Sequence, residues 1–270
     1  MTRPLWFVKL IEIFFPYVKK IAKLTRIPIL KYLLDISLFK GDDIIYLPKD
    51  NTIDTDEDVQ IPDNMVLPSD IVKYFIKRTG YHWIMNFCIC RRSMQCENYP
   101  INYGCLFLGK GILEINPKLG RRVTEQEALN YVDKCRKEGL VHMIGRNRLD
   151  AQWLGVQKGK RLLSICNCCE CCCLWRITPR LHPSLGRNIK KMSGVRVRVT
   201  NKCVGCGTCS EVCFVNAIKI KKNKAIITEG CRGCGRCVEI CPQRAIQLSI
   251  SNTDYFNSTV NEIDELVNLK

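Results

Sequence analysis

The chain has 270 residues and a mass of 31.1 kDa, with 46% hydrophobic and 25% charged side chains. This composition excludes a collagen-like, a wholly disordered or a multispanning membrane protein, and the length allows one or two domains. Two numbers need a chemical explanation: a formal net charge of +16 and nineteen cysteines.

Such a cysteine content has two explanations, a secreted disulfide framework or metal ligation in a reducing compartment. A signal peptide is not indicated, because the apolar run at 5–15 contains Lys9 and Glu12 and leads into lysines instead of a cleavage site. Nineteen is an odd number, and three adjacent cysteines at 171–173 have poor geometry for disulfides. We therefore expect a cytoplasmic protein whose thiols hold iron or another soft metal.

Residues 1–40 carry eight basic and two acidic side chains. Their apolar stretches are too short to span a membrane, so the pattern predicts two short amphipathic helices broken near Pro16 and Pro28. One interpretation is peripheral membrane contact, or docking onto a larger redox complex. The other is a pair of helices packed on the protein's own core.

Residues 41–70 reverse the charge, with nine acids against Lys49. The acids, together with Pro62 and Pro68, predict a polar connector that forms a solvated loop. The acids lack the spacing of an EF-hand, so no calcium site is expected.

The clearest helix signal lies at 124–139. Thr124 and Glu127 form a capping box, apolar residues follow at helical spacing, and Gly139 supplies the stop. Cys135 falls on the apolar stripe with no cysteine nearby, which favours a core position. Three isolated histidines are also interpreted as structural: His82, His142 and His182.

Ten further cysteines lie in two groups in the middle of the chain. These candidate ligands are Cys88, Cys90, Cys96, Cys105, Cys166, Cys168, Cys169, Cys171, Cys172 and Cys173. Neighbouring side chains in an extended run point to opposite faces, so we expect both groups to contribute to one or two additional clusters. The alternative is packed, reduced cysteine, which is disfavoured because exposed thiolates oxidise readily.

The C-terminal region repeats with a period of 28 residues, and each half reads C-x2-C-x2-C-x3-C, the spacing of [4Fe–4S] ligation. The fourth cysteine of each half ligates the other cluster in this pattern. The first predicted quartet is Cys203, Cys206, Cys209 and Cys241. The second is Cys231, Cys234, Cys237 and Cys213.

Glycines between these cysteines permit unusual backbone angles and let amide groups point at sulfur; they are Gly205, Gly207, Gly233 and Gly235. A zinc site is the alternative, but two superposable quartets disfavour it. The sequence also predicts a strand at 195–200 and a hairpin with strands at 218–220 and 225–227.

Residues 195–250 resemble the bacterial-type two-[4Fe–4S] ferredoxin, although Phe214 stands where the family has proline. The upstream run C-N-C-C-x-C-C-C resembles poorly characterised iron–sulfur proteins of anaerobes and methanogens. The doublet Cys168-Cys169 is similar to noncubane sites of heterodisulfide-reductase-like subunits, but Glu170 replaces the glycine of that motif.

The expected fold is α+β, with a ferredoxin-like dicluster domain at 191–252. A basic N-terminal segment and connector (1–70) and a cysteine-rich region (71–190) precede it, and a tail (253–270) follows. The expected function is one-electron relay in anaerobic metabolism, from a low-potential donor to a redox partner protein or oxidoreductase complex. The alternatives are an oxidoreductase subunit with a special cluster at 88–173, and an iron–sulfur scaffold or metal-delivery protein. Nucleic acid is not favoured as a partner, because the basic charge comes without a binding motif.

Overall fold

The computed structural model describes residues 2–53, 67–252 and 254–269. The acidic run at 54–58, on which the connector prediction partly rests, lies outside the described residues. The α+β class is confirmed: a seven-stranded mixed sheet is covered by helices, and two small sheets form the C-terminal part.

The large sheet has the strand order β4-β2-β3-β6-β5-β1-β7. Its strands are β1 Asp43–Tyr46, β2 His82–Met85, β3 Leu106–Leu108, β4 Gly120–Val123, β5 Val141–Arg146, β6 Leu163–Cys168 and β7 Ile189–Lys191. All neighbours are antiparallel except β1 and β7, which are parallel.

The helices are α1 Leu5–Phe14, α2 Val18–Leu24, α3 Pro28–Leu34, α4 Pro68–Arg78, α5 Ile89–Ser93, α6 Glu125–Lys137, α7 Arg148–Leu154, α8 Pro183–Gly186, α9 Thr208–Glu211, α10 Arg236–Glu239 and α11 Tyr255–Leu266. Helices α4, α6 and α11 pack on one face of the large sheet. Helices α1 and α7 and the turns at 174–180 cover the other. Among the described residues, no helix is both long and apolar enough to cross a bilayer.

The C-terminal part contains two antiparallel pairs, β8 Val195–Val199 with β11 Ile246–Ile250 and β9 Ile218–Lys221 with β10 Lys224–Ile227. The predicted strand and hairpin are confirmed. The prediction left four residues between the two strands, but the turn of the hairpin contains only two, Lys222 and Asn223. Both adopt positive φ, which allows a two-residue turn to connect the strands.

Two predictions about the first 70 residues need correction. Residues 43–46 are not a solvated loop but strand β1, buried between β5 and β7; the flanking acids obscured a short apolar run. The N-terminal segment forms three helices instead of two, because Pro16 falls in a 3-10 turn and Pro28 starts α3.

The helix predicted at 124–139 is confirmed as α6, with the Thr124–Glu127 capping box formed. Cys135 is fully buried in the core, as expected. His82 bonds to a backbone carbonyl, and His142 and His182 bond to neighbouring polar side chains.

Candidate metal centres

The first C-terminal quartet lies around one cavity. The loop before α9 supplies two of the cysteines, α9 itself supplies the third, and the fourth follows α10. The sulfur-bearing residues that line this cavity are Cys203, Cys206, Cys209 and Cys241. Burial and the thiols of the other three raise the pKa of Cys209, so these groups also lie within electrostatic range of one another.

The second quartet is more deeply enclosed. Burial raises the pKa of Cys234 to about 12, and Cys213 and Cys231 add to the shift. Burial and the same neighbours also raise the pKa of Cys237. Because iron binds thiolate, loading of this quartet has to release protons.

Backbone amides donate hydrogen bonds to four of these sulfurs. The amide of Ala217 lies 3.2 Å from Sγ of Cys213, and the amide of Ala245 lies 3.3 Å from Sγ of Cys241, at equivalent places in the repeat. Amides of Ala225 and Gly233 approach the sulfurs of Cys203 and Cys231 to 3.3 and 3.4 Å. Such bonds favour charged sulfur and tune the potential of a bound cluster.

The four predicted glycines all adopt positive φ, between +64° and +89°. At Gly205 the requirement is also steric, because a Cβ would lie 2.4 Å from the backbone carbon of Asn223 in the hairpin turn. Glycine is therefore needed to bring the loop of the first quartet against β9 and β10.

Two family models match this part of the chain. The 4Fe-4S binding domain matches residues 197–219, and the LdpA Fe-S cluster-binding domain matches residues 209–251. This is an iron–sulfur cluster-binding protein. The cysteine spacing, the shared cavity and the amide–sulfur bonds all fit at least one [4Fe–4S] cluster, which would supply one-electron chemistry. No curated protein and no solved structure matches the chain.

A four-cysteine site lies in the middle region. Its sulfurs, all within 4.8 Å of one another, belong to Cys96, Cys169, Cys171 and Cys172. The loop after α5 supplies Cys96, and the turn after β6 supplies the others. Hydrogen bonding with Cys171, supported by Arg91, lowers the pKa of Cys169 and favours its thiolate. The structure thus brings the two predicted cysteine groups together at a candidate metal site.

The remaining six cysteines of the middle region lie elsewhere. They line a cavity between β6, α5 and the N-terminal helices, and they are Cys88, Cys90, Cys105, Cys166, Cys168 and Cys173. The sulfurs of Cys105 and Cys166 are 3.8 Å apart. The thiols of Cys88 and Cys90 shift each other's pKa, as do those of Cys168 and Cys173, so each pair lies close together.

Sequence reasoning missed two arginines beside these cysteines. Arg91 is fully buried, and although burial opposes its charge, Cys88 and Cys169 raise its pKa. Arg236, which precedes Cys237, forms a 2.5 Å ion pair with Glu170, between Cys169 and Cys171. Each arginine is next to a candidate cysteine ligand in the sequence, and this was the one sequence feature that could have indicated its place at a metal site.

Proposed function

We propose that the chain relays single electrons through three sulfur-ligated centres: one [4Fe–4S] cluster at each C-terminal quartet and a metal centre at the four-cysteine site. The observation that carries this proposal is the contact between the second quartet and the four-cysteine site. Arg236 in α10 reaches both Glu170 and the Tyr99 hydroxyl. Tyr99 in turn bonds to Glu170 at 3.2 Å, and Cys96 precedes it by three residues.

The two quartets are also adjacent. The thiol of Cys209, from the first quartet, contributes to the raised pKa of Cys237 in the second. Both cysteines pack in one small core with Ile218 and Ile246. Three centres therefore form a chain in which the second quartet stands between the other two.

The first quartet is the one that reaches the surface. Cys206 is exposed, and Val204 beside it is 58% exposed. Electrons would enter or leave here, because transfer falls steeply with distance. Glu211 is an exposed acid near Cys206, but the exposed residues of this part of the chain are mostly basic: Lys202, Lys219, Lys221, Lys222 and Lys224. Their charge favours an acidic redox protein as the partner, and the association would weaken with salt.

The outer side of the N-terminal helices offers a second contact. Trp6, Ile13, Ile29 and Tyr32 are each at least 65% exposed, and basic residues lie among them. This side would hold the relay at an anionic membrane surface or on a larger complex.

The relay is tested on the full-length protein after anaerobic reconstitution. Replacing Cys206 and Cys241 with Ser, or Cys231 and Cys234 with Ser, should each remove about four irons. The clusters that remain should titrate in reversible one-electron steps, followed by EPR. A quartet variant that keeps all of its iron, or a chain that binds zinc there, would contradict the proposal.

A further inference from the structure

The cavity beneath the N-terminal helices is much larger than the space at the first quartet. Its volume is about 500 Å³, against about 10 Å³ at the quartet of Cys203. Phe7, Ile11 and Phe15 cover it from α1 and the following turn, and Trp153 and Trp175 close its sides. Seven cysteines, the six and Cys169, therefore line an apolar cavity that a single metal ion would not fill.

These six cysteines are separated from the four-cysteine site by the geometry of β6. Cys166 and Cys168 are two residues apart on the strand, so their side chains share a face. The turn that follows carries Cys171 and Cys172 to the four-cysteine site, and Cys173 then returns to the cavity. Cys169, between them, belongs to the four-cysteine site and also lines the cavity. The dense cysteine run thus supplies two sites.

Arg91 lies between the two sites. Its side chain is fully buried and donates to the backbone carbonyls of Asn167 and Tyr103. Within the described ranges it meets no carboxylate in an ion pair; the ionisable groups that face it are Cys88, Cys168 and Cys169. A buried charge needs a partner of opposite sign. Thiolates among these cysteines, or a cluster that they ligate, supply that negative charge.

A second buried polar group lies near two of the six cysteines, Cys168 and Cys173. Tyr46 is 0% exposed, and its hydroxyl has no hydrogen-bond partner in the part of the chain that the structure describes. The thiols of Cys173, Cys168 and Cys234 surround it. Sulfur of a bound cluster would accept its hydrogen bond, and Cys234 belongs to the second quartet.

We propose that the six cysteines hold a further iron–sulfur cluster, separate from the four-cysteine site, and that Arg91 is the counter-ion the two share. Four or more of the six thiolates would ligate iron, and the N-terminal helices would exclude water from the cluster. This site does not depend on the relay through the C-terminal quartets.

The test compares two triple variants of the full-length protein, reconstituted anaerobically. The cavity variant is Cys105→Ala, Cys166→Ala and Cys168→Ala; its matched control is Cys96→Ala, Cys171→Ala and Cys172→Ala. The cavity variant should lose about four irons with matching sulfide, the control should lose the metal of the four-cysteine site, and together the losses should add. The C-terminal EPR signals should be unchanged in both. A cavity variant with all of its iron and sulfide, or zinc recovered from the wild-type cavity, would overturn the proposal.

A second measurement remains decisive if the triple variants do not fold. Arg91→Gln removes a positive charge beside both sites, so the reduction potentials of both middle clusters should fall, while Arg91→Lys should restore them. A shift confined to one cluster, or no shift, would show that Arg91 is not shared. If instead the quartet variants lose no iron while the cavity variant does, the relay fails and the cavity cluster stands.

Discussion

At the scale of single residues, Gly205 and Gly207 show that a cluster loop can require glycine for two different reasons, positive φ and lack of space for a side chain. Both have positive φ, +70° and +89°, which costs other residues about 1–2 kcal/mol. Only Gly205 is also pressed against another segment, since nothing lies within 4 Å of a Cβ at Gly207. The loop at Gly205 therefore cannot accept a side chain unless the hairpin turn moves.

We expect Gly205→Ala to lose iron from the first quartet far faster than Gly207→Ala. The added methyl group would displace the Asn223 backbone and with it the amide of Ala225, which bonds to Cys203. Iron release to a chelator, followed by the loss of visible absorbance, measures the difference. Equal rates would show that backbone strain alone matters at both positions.

His142 gives a prediction about pH. Burial, opposed by the 2.8 Å bond to Asn167, lowers its pKa to about 4 from the ordinary 6.5. The unfolded chain therefore takes up the proton first as the pH falls. The stability due to neutral His142 is complete above pH 6.5 and is lost as the pH falls towards 4, by about 3 kcal/mol in all.

Urea unfolding of the wild type and of His142→Gln at pH 7 and pH 4.5 measures this contribution. The wild type should lose more free energy of unfolding than the variant, because Gln does not titrate. The comparison between variants removes the effect of acid on the clusters themselves. The same loss in both proteins would mean that His142 is already protonated or exposed in the folded state.

At the scale of elements, the contact between α10 and the turn after β6 places the second quartet beside the four-cysteine site. Arg236 has 9% of its side chain exposed, and Glu170 has 19%. Arg236 also donates to the Gly139 carbonyl at the end of α6. One buried side chain thus fixes the position of the cysteine-bearing turn relative to the cluster helix.

We expect Glu170→Gln to weaken metal binding at the four-cysteine site by roughly tenfold, as outer-shell substitutions do. The variant removes the ion pair but keeps the shape of the side chain. Glu138→Gln, an exposed glutamate at the end of α6, is the matched control. Competition with a chelator, read site by site by EPR, distinguishes them; an unchanged affinity in Glu170→Gln would show that the turn is held by its other contacts.

At the scale of the whole molecule, the N-terminal helices have two apolar sides. The inner side covers the six-cysteine cavity, so the two interpretations of residues 1–40 are not exclusive. The outer side carries Trp6, Ile13, Ile29 and Tyr32, none of which lines the cavity. Point substitutions on the outer side therefore test docking more cleanly than deletion of the segment, which would open the cavity.

We expect the quadruple variant Trp6→Ser, Ile13→Ser, Ile29→Ser and Tyr32→Ser to keep its clusters but to lose affinity for anionic vesicles. Binding of the wild type should also fall as salt is raised, because the basic residues contribute. The same vesicles without anionic lipid serve as the control in a flotation assay. Undiminished binding by the variant would place the membrane contact elsewhere.

The sequence by itself determined the cluster chemistry at the C-terminus, the α+β class, helix α6 and the hairpin. It could do so because these features are local: ligand spacing, capping and turn residues all act within a few residues of one another. The prediction of a solvated loop at β1 was wrong because it rested on the neighbouring acids. Burial of that strand depends on β5 and β7, which are both distant in the chain.

Only the tertiary structure decided how the ten middle cysteines divide. Their spacing does not show that Cys166 and Cys168 on β6 line the cavity, that Cys171 and Cys172 in the turn after it belong to the four-cysteine site, or that Cys169 contacts both. The positions of Arg91 and Arg236 between centres, and of the N-terminal helices over a cavity, likewise arise from contacts between residues up to about 150 positions apart. Such contacts depend on how sheets and helices pack, and this packing cannot be predicted from the spacing of residues within a short stretch of sequence.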